Sequence, residues 1–95
     1  MKTVYITIGN SDDKLRQQEW CRFCRELSDR ASYLASETHF IGFSNPDSPW
    51  QTMLICIVVP NNAMAELKAN LKALASNYGQ DSIALAVAEV EFVKP

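Results

Sequence analysis

Apolar and polar positions divide this 95-residue chain into six segments separated by short polar connectors. Residues 2–8 alternate between apolar and polar side chains, which is the two-residue period of a β-strand with two different faces. Residues 39–43 form a second short strand. Within residues 51–59, the residues that would point to either face of a strand are apolar, which is typical of a central strand covered on each face. These segments predict three of the elements of a small sheet.

Two helices are predicted between the strands. In the first, apolar residues recur at three- and four-residue spacing up to about Leu34. Asn10 or Ser11 is expected to cap it, with Asp12 and Asp13 in the first turn, where the helix dipole favours acidic groups. At about 23 residues this helix would be roughly 35 Å long, against roughly 23 Å for a seven-residue strand. We therefore expect it to overhang the sheet, to bend or to end early.

The second helix is marked by apolar residues at alternating three- and four-residue spacing: Met64, Leu67, Leu71, Leu74 and Tyr78. Asn61 or Asn62 is expected to cap its start. Gly79 follows where a left-handed C-terminal cap belongs. Residues 83–93 are then predicted to form the last strand.

Strand, helix, strand, strand, helix, strand is the order of two β-α-β units joined by a hairpin. Right-handed crossovers convert that order into an α+β ferredoxin-like sandwich. Its four-stranded antiparallel sheet has the order 4-1-3-2, with two helices on one face. We expect residues 1–95 to form a single ferredoxin-like domain.

This topology places three polar connectors, residues 9–13, 44–51 and 78–82, at the same edge of the sheet. A shared edge is where a small domain of this type can hold a ligand or a partner. Asn, Asp and Ser are also ordinary cap and turn formers, so a purely structural role is the simpler alternative. The candidate binding residues at this edge are Asn10, Asp12, Asp13, Trp50, Gln51, Gln80 and Asp81.

The sheet face opposite the helices is predicted to be apolar over much of its area. If Val4 and its alternating neighbours point to the helices, Tyr5 and its neighbours point away, and either alternating set of the third strand is apolar. A contiguous apolar face is seldom left in contact with water. The expected cover is a second copy of the chain, packed sheet against sheet as in dimeric α+β barrels.

Composition and charge narrow the function classes. The chain is 47% hydrophobic and 21% charged, which is ordinary for a globular domain, and its net charge is −2. That charge lacks the basic footprint of a nucleic-acid or anionic-membrane binder. The alternation of the first segment also differs from the continuous apolar stretch of a secretory signal. Three cysteines, an odd number, favour a reducing compartment, so we expect a cytoplasmic protein.

Trp20-Cys21-Arg22-Phe23-Cys24 resembles the Trp-Cys-x-x-Cys motif of thioredoxins, but its position argues against redox catalysis. A reactive cysteine of that type sits at a helix N-terminus, where the dipole lowers its pKa. Here Cys21 is predicted well inside the first helix, and Cys24 falls on the buried stripe. A single Cys-x-x-Cys also supplies only two of the four ligands of structural zinc.

The remaining candidates have competing structural interpretations. His39, the only histidine, is more simply a structural residue of a strand than a general base. The aspartates of the three connectors are oxygen ligands that Mg²⁺ or Ca²⁺ accept, although they also serve as caps. Trp50 is either a lid on the core or an exposed anchor for a partner.

Several blocks of the sequence resemble a group of short uncharacterised actinobacterial proteins associated with mobile elements. The most specific block runs from Val4 to Leu15 and contains Ile-Gly-Asn-Ser-Asp-Asp-Lys-Leu; shorter ones are Glu19-Trp20, Trp50-Gln51 and Gln80–Ala84. Cys21 and Cys24 are not part of the pattern. The resemblance implies a genomic setting and no mechanism.

The sequence therefore predicts a non-enzymatic binding or protein-interaction module that needs neither cofactor nor metal. We expect a homodimer with an unidentified protein or small-molecule ligand, and neither nucleic acid nor membrane as a partner. The alternative is a small cofactor-independent enzyme of the dimeric α+β barrel type. A closed, polar-lined pocket reaching His39 or Tyr5 favours the enzyme, whereas a packed interior counts against it.

Overall fold

The computed structural model describes residues 1–10 and 12–95. Its elements in chain order are β1 (Lys2–Gly9), α1 (Gln17–Leu34), β2 (Glu37–Phe43), β3 (Thr52–Val59), a 3-10 turn (Asn61–Ala63), α2 (Met64–Asn77) and β4 (Ala84–Ala88). The four strands pair antiparallel in the order β2-β3-β1-β4. The predicted α+β ferredoxin-like sandwich, with strand order 4-1-3-2, is confirmed.

The first helix begins later than the sequence predicts. α1 starts at Gln17 with Arg16 as its cap residue, so the prediction that Asn10 caps it is wrong, as is the placement of Asp12 and Asp13 in its first turn. The start is fixed by Glu19, whose Oε1 accepts a hydrogen bond from the Arg16 backbone N–H at 3.1 Å. The alternative cap Ser11 lies outside the described residues. With 18 residues α1 is about 27 Å long, which equals the length of the eight-residue β1, so the expected mismatch disappears.

The last strand is shorter than predicted. β4 ends at Ala88, and residues 89–95 have no regular structure. The reason is the register, because Ala88 pairs with Thr3 of β1, which itself starts at Lys2. Beyond Ala88 there is almost no neighbouring strand to pair with.

The other predicted elements are close to their expected bounds, but the prediction that Asn61 or Asn62 caps α2 is wrong, because both lie in the preceding 3-10 turn and the cap residue is Ala63. β2 starts two residues earlier than predicted and contains a bulge, since the register with β3 shifts between Thr38 and Phe40 and leaves His39 as the extra residue. Gly79 has a φ of +63° and is the predicted left-handed residue after α2. Any other residue is strained there because its Cβ crowds the backbone.

The core lies between the helices and one face of the sheet. β1 and β3 contribute alternate side chains, and the helices contribute their apolar stripes: Val4, Ile6, Ile8, Met53, Ile55, Ile57, Val59, Phe23, Leu27, Ala31, Leu67, Leu71 and Leu74. Cys24 also lies in this core, as predicted. The helices and sheet therefore close over one packed apolar layer.

The opposite face of the sheet carries the other alternating set. Tyr5 of β1 pairs with Cys56 of β3 and with Ala86 of β4, and Cys56 pairs with Phe40 of β2. The Tyr5 and Phe40 rings are 6.4 Å apart between centroids. We call this the open face; its members are Thr3, Tyr5, Thr7, Phe40, Leu54, Cys56, Val58, Ala84, Ala86 and Ala88.

Candidate functional site

The three polar connectors meet at one edge of the sheet, which we call the rim (residues 9–10, 12–13, 44–51 and 78–82). The first and second connectors are joined where the Asn10 backbone N–H donates to the Gln51 carbonyl oxygen at 2.9 Å. The first and third are joined through Lys14, the residue directly after the first connector, whose Nζ donates to the Gly79 carbonyl oxygen at 3.1 Å. Residues far apart in sequence are therefore held together by direct bonds.

A cleft of about 460 Å³ opens at the rim between the first and third connectors. Its floor is the edge of the sheet at Thr7, Gly9 and Thr52. Asp12 and Asp81 both line the cleft. The remaining lining residues are Ile8, Gln80, Ser82 and Ala84. The cleft thus combines two carboxylates with hydroxyl and amide groups.

Asn10 is the buried support of the rim. Its side chain is 4% exposed and makes three hydrogen bonds: Nδ2 donates to the Leu15 carbonyl oxygen at 2.9 Å and to Gln51 Oε1 at 3.0 Å, and Oδ1 accepts from the Leu15 N–H at 3.0 Å. The amide is fully engaged within the chain. Asn10 therefore shapes the connector instead of presenting a free group.

Gln51 extends this network toward α1. Its Nε2 donates to Gln17 Oε1 at 2.9 Å, while its Oε1 accepts from Asn10. The second connector is thereby tied to the first turn of the helix. Among the predicted site residues, Asn10 and Gln51 are the two brought into direct side-chain contact.

The exposed charged residues of the first connector have local partners. Lys14 Nζ lies 3.6 Å from Asp12 Oδ2, and the Lys14 backbone N–H donates to Asp12 Oδ1 at 3.2 Å. About half of each side chain is exposed, so this ion pair adds little stability. Asp13 adopts a left-handed φ of 53°, and its N–H donates to the Asn10 carbonyl oxygen at 3.1 Å. Asp13 thus closes a turn beside the cleft.

Trp50 lies at the end of the hairpin connector and is 55% exposed. The interpretation of Trp50 as a lid on the core is therefore wrong. An indole in this position presents a large apolar surface next to the Gln51 network. Aromatic side chains of this kind are common anchors in protein interfaces.

The two neighbouring cysteines of α1 differ sharply in environment. Cys21 is exposed, whereas Cys24 is 7% exposed within the core. Burial, followed by the nearby Cys21, raises the pKa of the Cys24 thiol to about 11. A catalytic thiol needs the opposite shift, since the thiolate is the nucleophile. This environment argues against redox catalysis at the Cys-x-x-Cys segment.

His39 and Tyr5, the residues considered for an enzyme, do not face the helix-covered layer. His39 is the exposed bulge residue of the outer strand β2, and Tyr5 lies on the open face. A side-chain hydrogen bond with Cys56 raises the pKa of the Tyr5 phenol further above its ordinary value. The space between helices and sheet is filled by apolar side chains.

Sequence reasoning missed three residues that line the cleft, Thr7, Thr52 and Ser82, and also Lys14, which bonds to the third connector. Lys14 acts through the Gly79 carbonyl 65 positions away, a contact that local sequence patterns do not reveal. Thr7 and Thr52 belong to strands, and only the register places them at the floor of the cleft. Ser82 lies within the third connector, directly after the candidate binding residue Asp81.

Two further observations concern metals and membranes. Within residues 1–10 and 12–95, no three His, Cys, Asp or Glu side chains converge as a metal site. Neither helix in this described part of the chain is long and apolar enough to cross a bilayer.

Comparison with known proteins assigns no family. No protein-family model matches the chain, and no curated protein sequence matches it significantly. The function must therefore be argued from the rim, the open face and their chemistry.

Proposed function

We propose that this chain is a protein-interaction module that binds its partner at the rim. The observation that supports this most strongly is the cleft where Asp12 and Asp81, distant in sequence, line the same 460 Å³ space. A buried amide network centred on Asn10 holds that edge in place. Rigid support under exposed polar groups is the arrangement that binding sites require.

The chemistry of the cleft favours a partner that presents a basic side chain. Asp12 and Asp81 are acidic, and Lys14 offsets part of that charge from one side. Hydroxyls of Thr7, Thr52 and Ser82 add uncharged hydrogen-bonding groups. Trp50, exposed on the neighbouring connector, supplies an apolar contact outside the cleft. A basic residue flanked by an apolar one would satisfy both features.

We further propose that two copies associate through the open face. Strands of eight, seven, eight and five residues, about 4.8 Å apart, give roughly 460 Å² per copy, or about 900 Å² for the pair. This is close to the lower bound of about 1,000 Å² for a specific interface. Phe40 is 48% exposed at one side of the face, and exposed Ala84 and Ala86 line the other. Small alanines there allow close approach of a second sheet.

The alternative of a cofactor-independent enzyme has less support. Its cavity between helices and sheet is occupied by core side chains, and His39 and Tyr5 lie elsewhere. The three free cysteines support the proposed cytoplasmic location. The resemblance to mobile-element-associated actinobacterial proteins adds a genomic setting to the proposal.

The rim proposal is tested by peptide display. A random peptide library is selected on the immobilised full chain, and the enriched peptides are titrated against the wild-type chain, against Asp12→Ala/Asp81→Ala and against Asp29→Ala. Asp29 is an exposed acidic residue of α1, outside the rim. We expect enrichment of basic peptides whose affinity falls at least tenfold in the double variant and is unchanged in Asp29→Ala. Equal affinity for all three proteins would contradict the proposal.

A further inference from the structure

A second exposed surface of the molecule lies on the helix-covered side of β2. An apolar groove of about 400 Å³ runs between α1 and the outer strand β2. Its walls include Cys21, Cys24 and Arg25 of α1 and Ile41, Phe43 and Met53 of the sheet. Phe43 remains 65% exposed although its pairing partner Met53 is buried.

The chain also carries an exposed segment with matching chemistry. Residues 89–95, which we call the tail, follow β4 and read Glu-Val-Glu-Phe-Val-Lys-Pro. Phe92 is 83% exposed, and Val90 and Val93 are exposed as well. In an extended segment, Val90 and Phe92 project to one side, and Glu89, Glu91 and Val93 to the other. The tail therefore has the alternation of a strand but no sheet neighbour.

We propose that the tail of one copy docks in the groove of a second copy. Val90 and Phe92 then cover the floor formed by Ile41, Phe43 and Met53. Glu89 and Glu91 then lie at the mouth of the groove, where Arg25 of α1 supplies a positive charge.

The register excludes the tail of the same chain. β4 and β2 are the two outer strands, three steps apart, which amounts to about 14 Å across the sheet. Ala88 is level with Val58 of β3, whereas Phe43 pairs with Met53, about 17 Å further along. The diagonal is about 22 Å, but four residues beyond Ala88 span at most about 14 Å. The straight route also runs through the packed layer between helices and sheet, so Phe92 reaches this groove from a second molecule.

Exchange of tails between two copies forms a closed pair. Each molecule offers one groove and one tail, so a two-fold arrangement satisfies both at once. This association uses the helix-covered side of β2 and is separate from the open face. It is therefore independent of the proposed sheet-to-sheet dimer.

Disulfide trapping tests the docking in the full chain. Cys21 is a natural exposed thiol on the groove wall. In Val93→Cys, which keeps Phe92 and both glutamates, oxidation with diamide should link the introduced thiol to Cys21 of another molecule. We expect a covalent dimer on a non-reducing gel, with the linkage identified by mass spectrometry, and no such linkage in Val93→Cys/Cys21→Ser.

The matched control moves the accepting thiol to the other outer cleft. Val93→Cys/Cys21→Ser/Lys72→Cys places it on α2, beside β4, where Lys68 and Lys72 offer an alternative basic surface. We expect trapping there to be several-fold slower than at Cys21. Phe92→Ala should slow trapping at Cys21 several-fold, with Phe92→Leu restoring part of the rate, and circular dichroism verifies the fold of each variant.

Three results would overturn the proposal. One is a disulfide formed within a single chain. In a mixture of isotope-labelled and unlabelled molecules, such a bond never joins a labelled peptide to an unlabelled one. Another is trapping at position 72 as fast as at Cys21. The third is a rate that Phe92→Ala leaves unchanged. Ala86→Glu, which is aimed at the open face, should leave the trapping rate unchanged and so separates the two associations.

Discussion

Asn10 Nδ2 donates a hydrogen bond to Gln51 Oε1 at 3.0 Å, which joins two connectors that are 41 positions apart. The same amide satisfies both backbone groups of Leu15. One buried side chain therefore determines where β1 ends, how the first connector turns and where the hairpin connector rests. The rim keeps its shape because the side-chain amide of Asn10 makes all of its hydrogen bonds to Leu15 and Gln51.

Replacing Asn10 should destabilise the whole domain. Asn10→Ala removes three hydrogen bonds and leaves the Leu15 N–H and carbonyl without their partner, which costs about 2–4 kcal/mol in the free energy of unfolding. Urea denaturation measures this loss. Asn77→Ala, at an exposed asparagine near the end of α2, is the matched control and should change stability by less than about 0.5 kcal/mol. Equal effects would show that the network does not hold the rim.

The buried Cys24 thiol makes stability depend on pH in the alkaline range. Its pKa is about 11 in the folded chain, whereas the ordinary value for a cysteine thiol is 9.0. Above pH 9 the unfolded chain releases the proton while the folded chain retains it, so the free energy of unfolding falls as pH rises. The loss is complete near pH 11 and amounts to at most about 2–3 kcal/mol.

Lysines and tyrosines also titrate in this pH range. Comparing the pH dependence of stability in wild type and in Cys24→Ala isolates the contribution of the Cys24 thiol. Urea midpoints measured from pH 8 to 11 should fall more steeply for wild type than for the variant. Parallel curves would show that Cys24 ionises equally in both states.

The same burial predicts that iodoacetamide modifies Cys21 well before Cys24 in the native protein.

A charge on the open face should prevent the proposed sheet-to-sheet association. Ala86→Glu places a carboxylate on the outer strand β4 of the face, beside Tyr5. Burying an unpaired charge costs several kcal/mol, so sedimentation equilibrium should show the variant as a monomer at concentrations where wild type is dimeric. Ala69→Glu adds the same charge on the exposed side of α2 and should leave the dimer intact. A monomeric wild-type chain would exclude this use of the face.

The fold was largely predictable because its signals are local. The spacing from Met64 to Tyr78 and the glycine at position 79 predicted α2 and its left-handed end, and the both-sided apolar run from Met53 to Val59 predicted the central β3. These patterns depend on periodicity and backbone conformation, which neighbouring residues determine.

The errors arose where a distant partner decides the local structure. Asp12 and Asp13 have the composition of a helix start, but the bonds from Asn10 to Leu15 and Gln51 hold that stretch in an irregular turn. The alternation after Ala88 continues in sequence, but β1 offers no further residues for pairing. Lys14 was missed for the same reason, since its partner is the distant Gly79 carbonyl.

The central claim is that the rim is a binding surface, and site-specific photo-crosslinking in cells of the source organism tests it most directly. A benzoylphenylalanine at position 82, beside Asp81 in the cleft, is compared with the same group at position 76, an exposed serine of α2. The account predicts a discrete covalent adduct with another protein from position 82, lost in Asp12→Ala/Asp81→Ala, and no matching adduct from position 76. The same adducts from both positions, or an adduct that survives the double substitution, would contradict it.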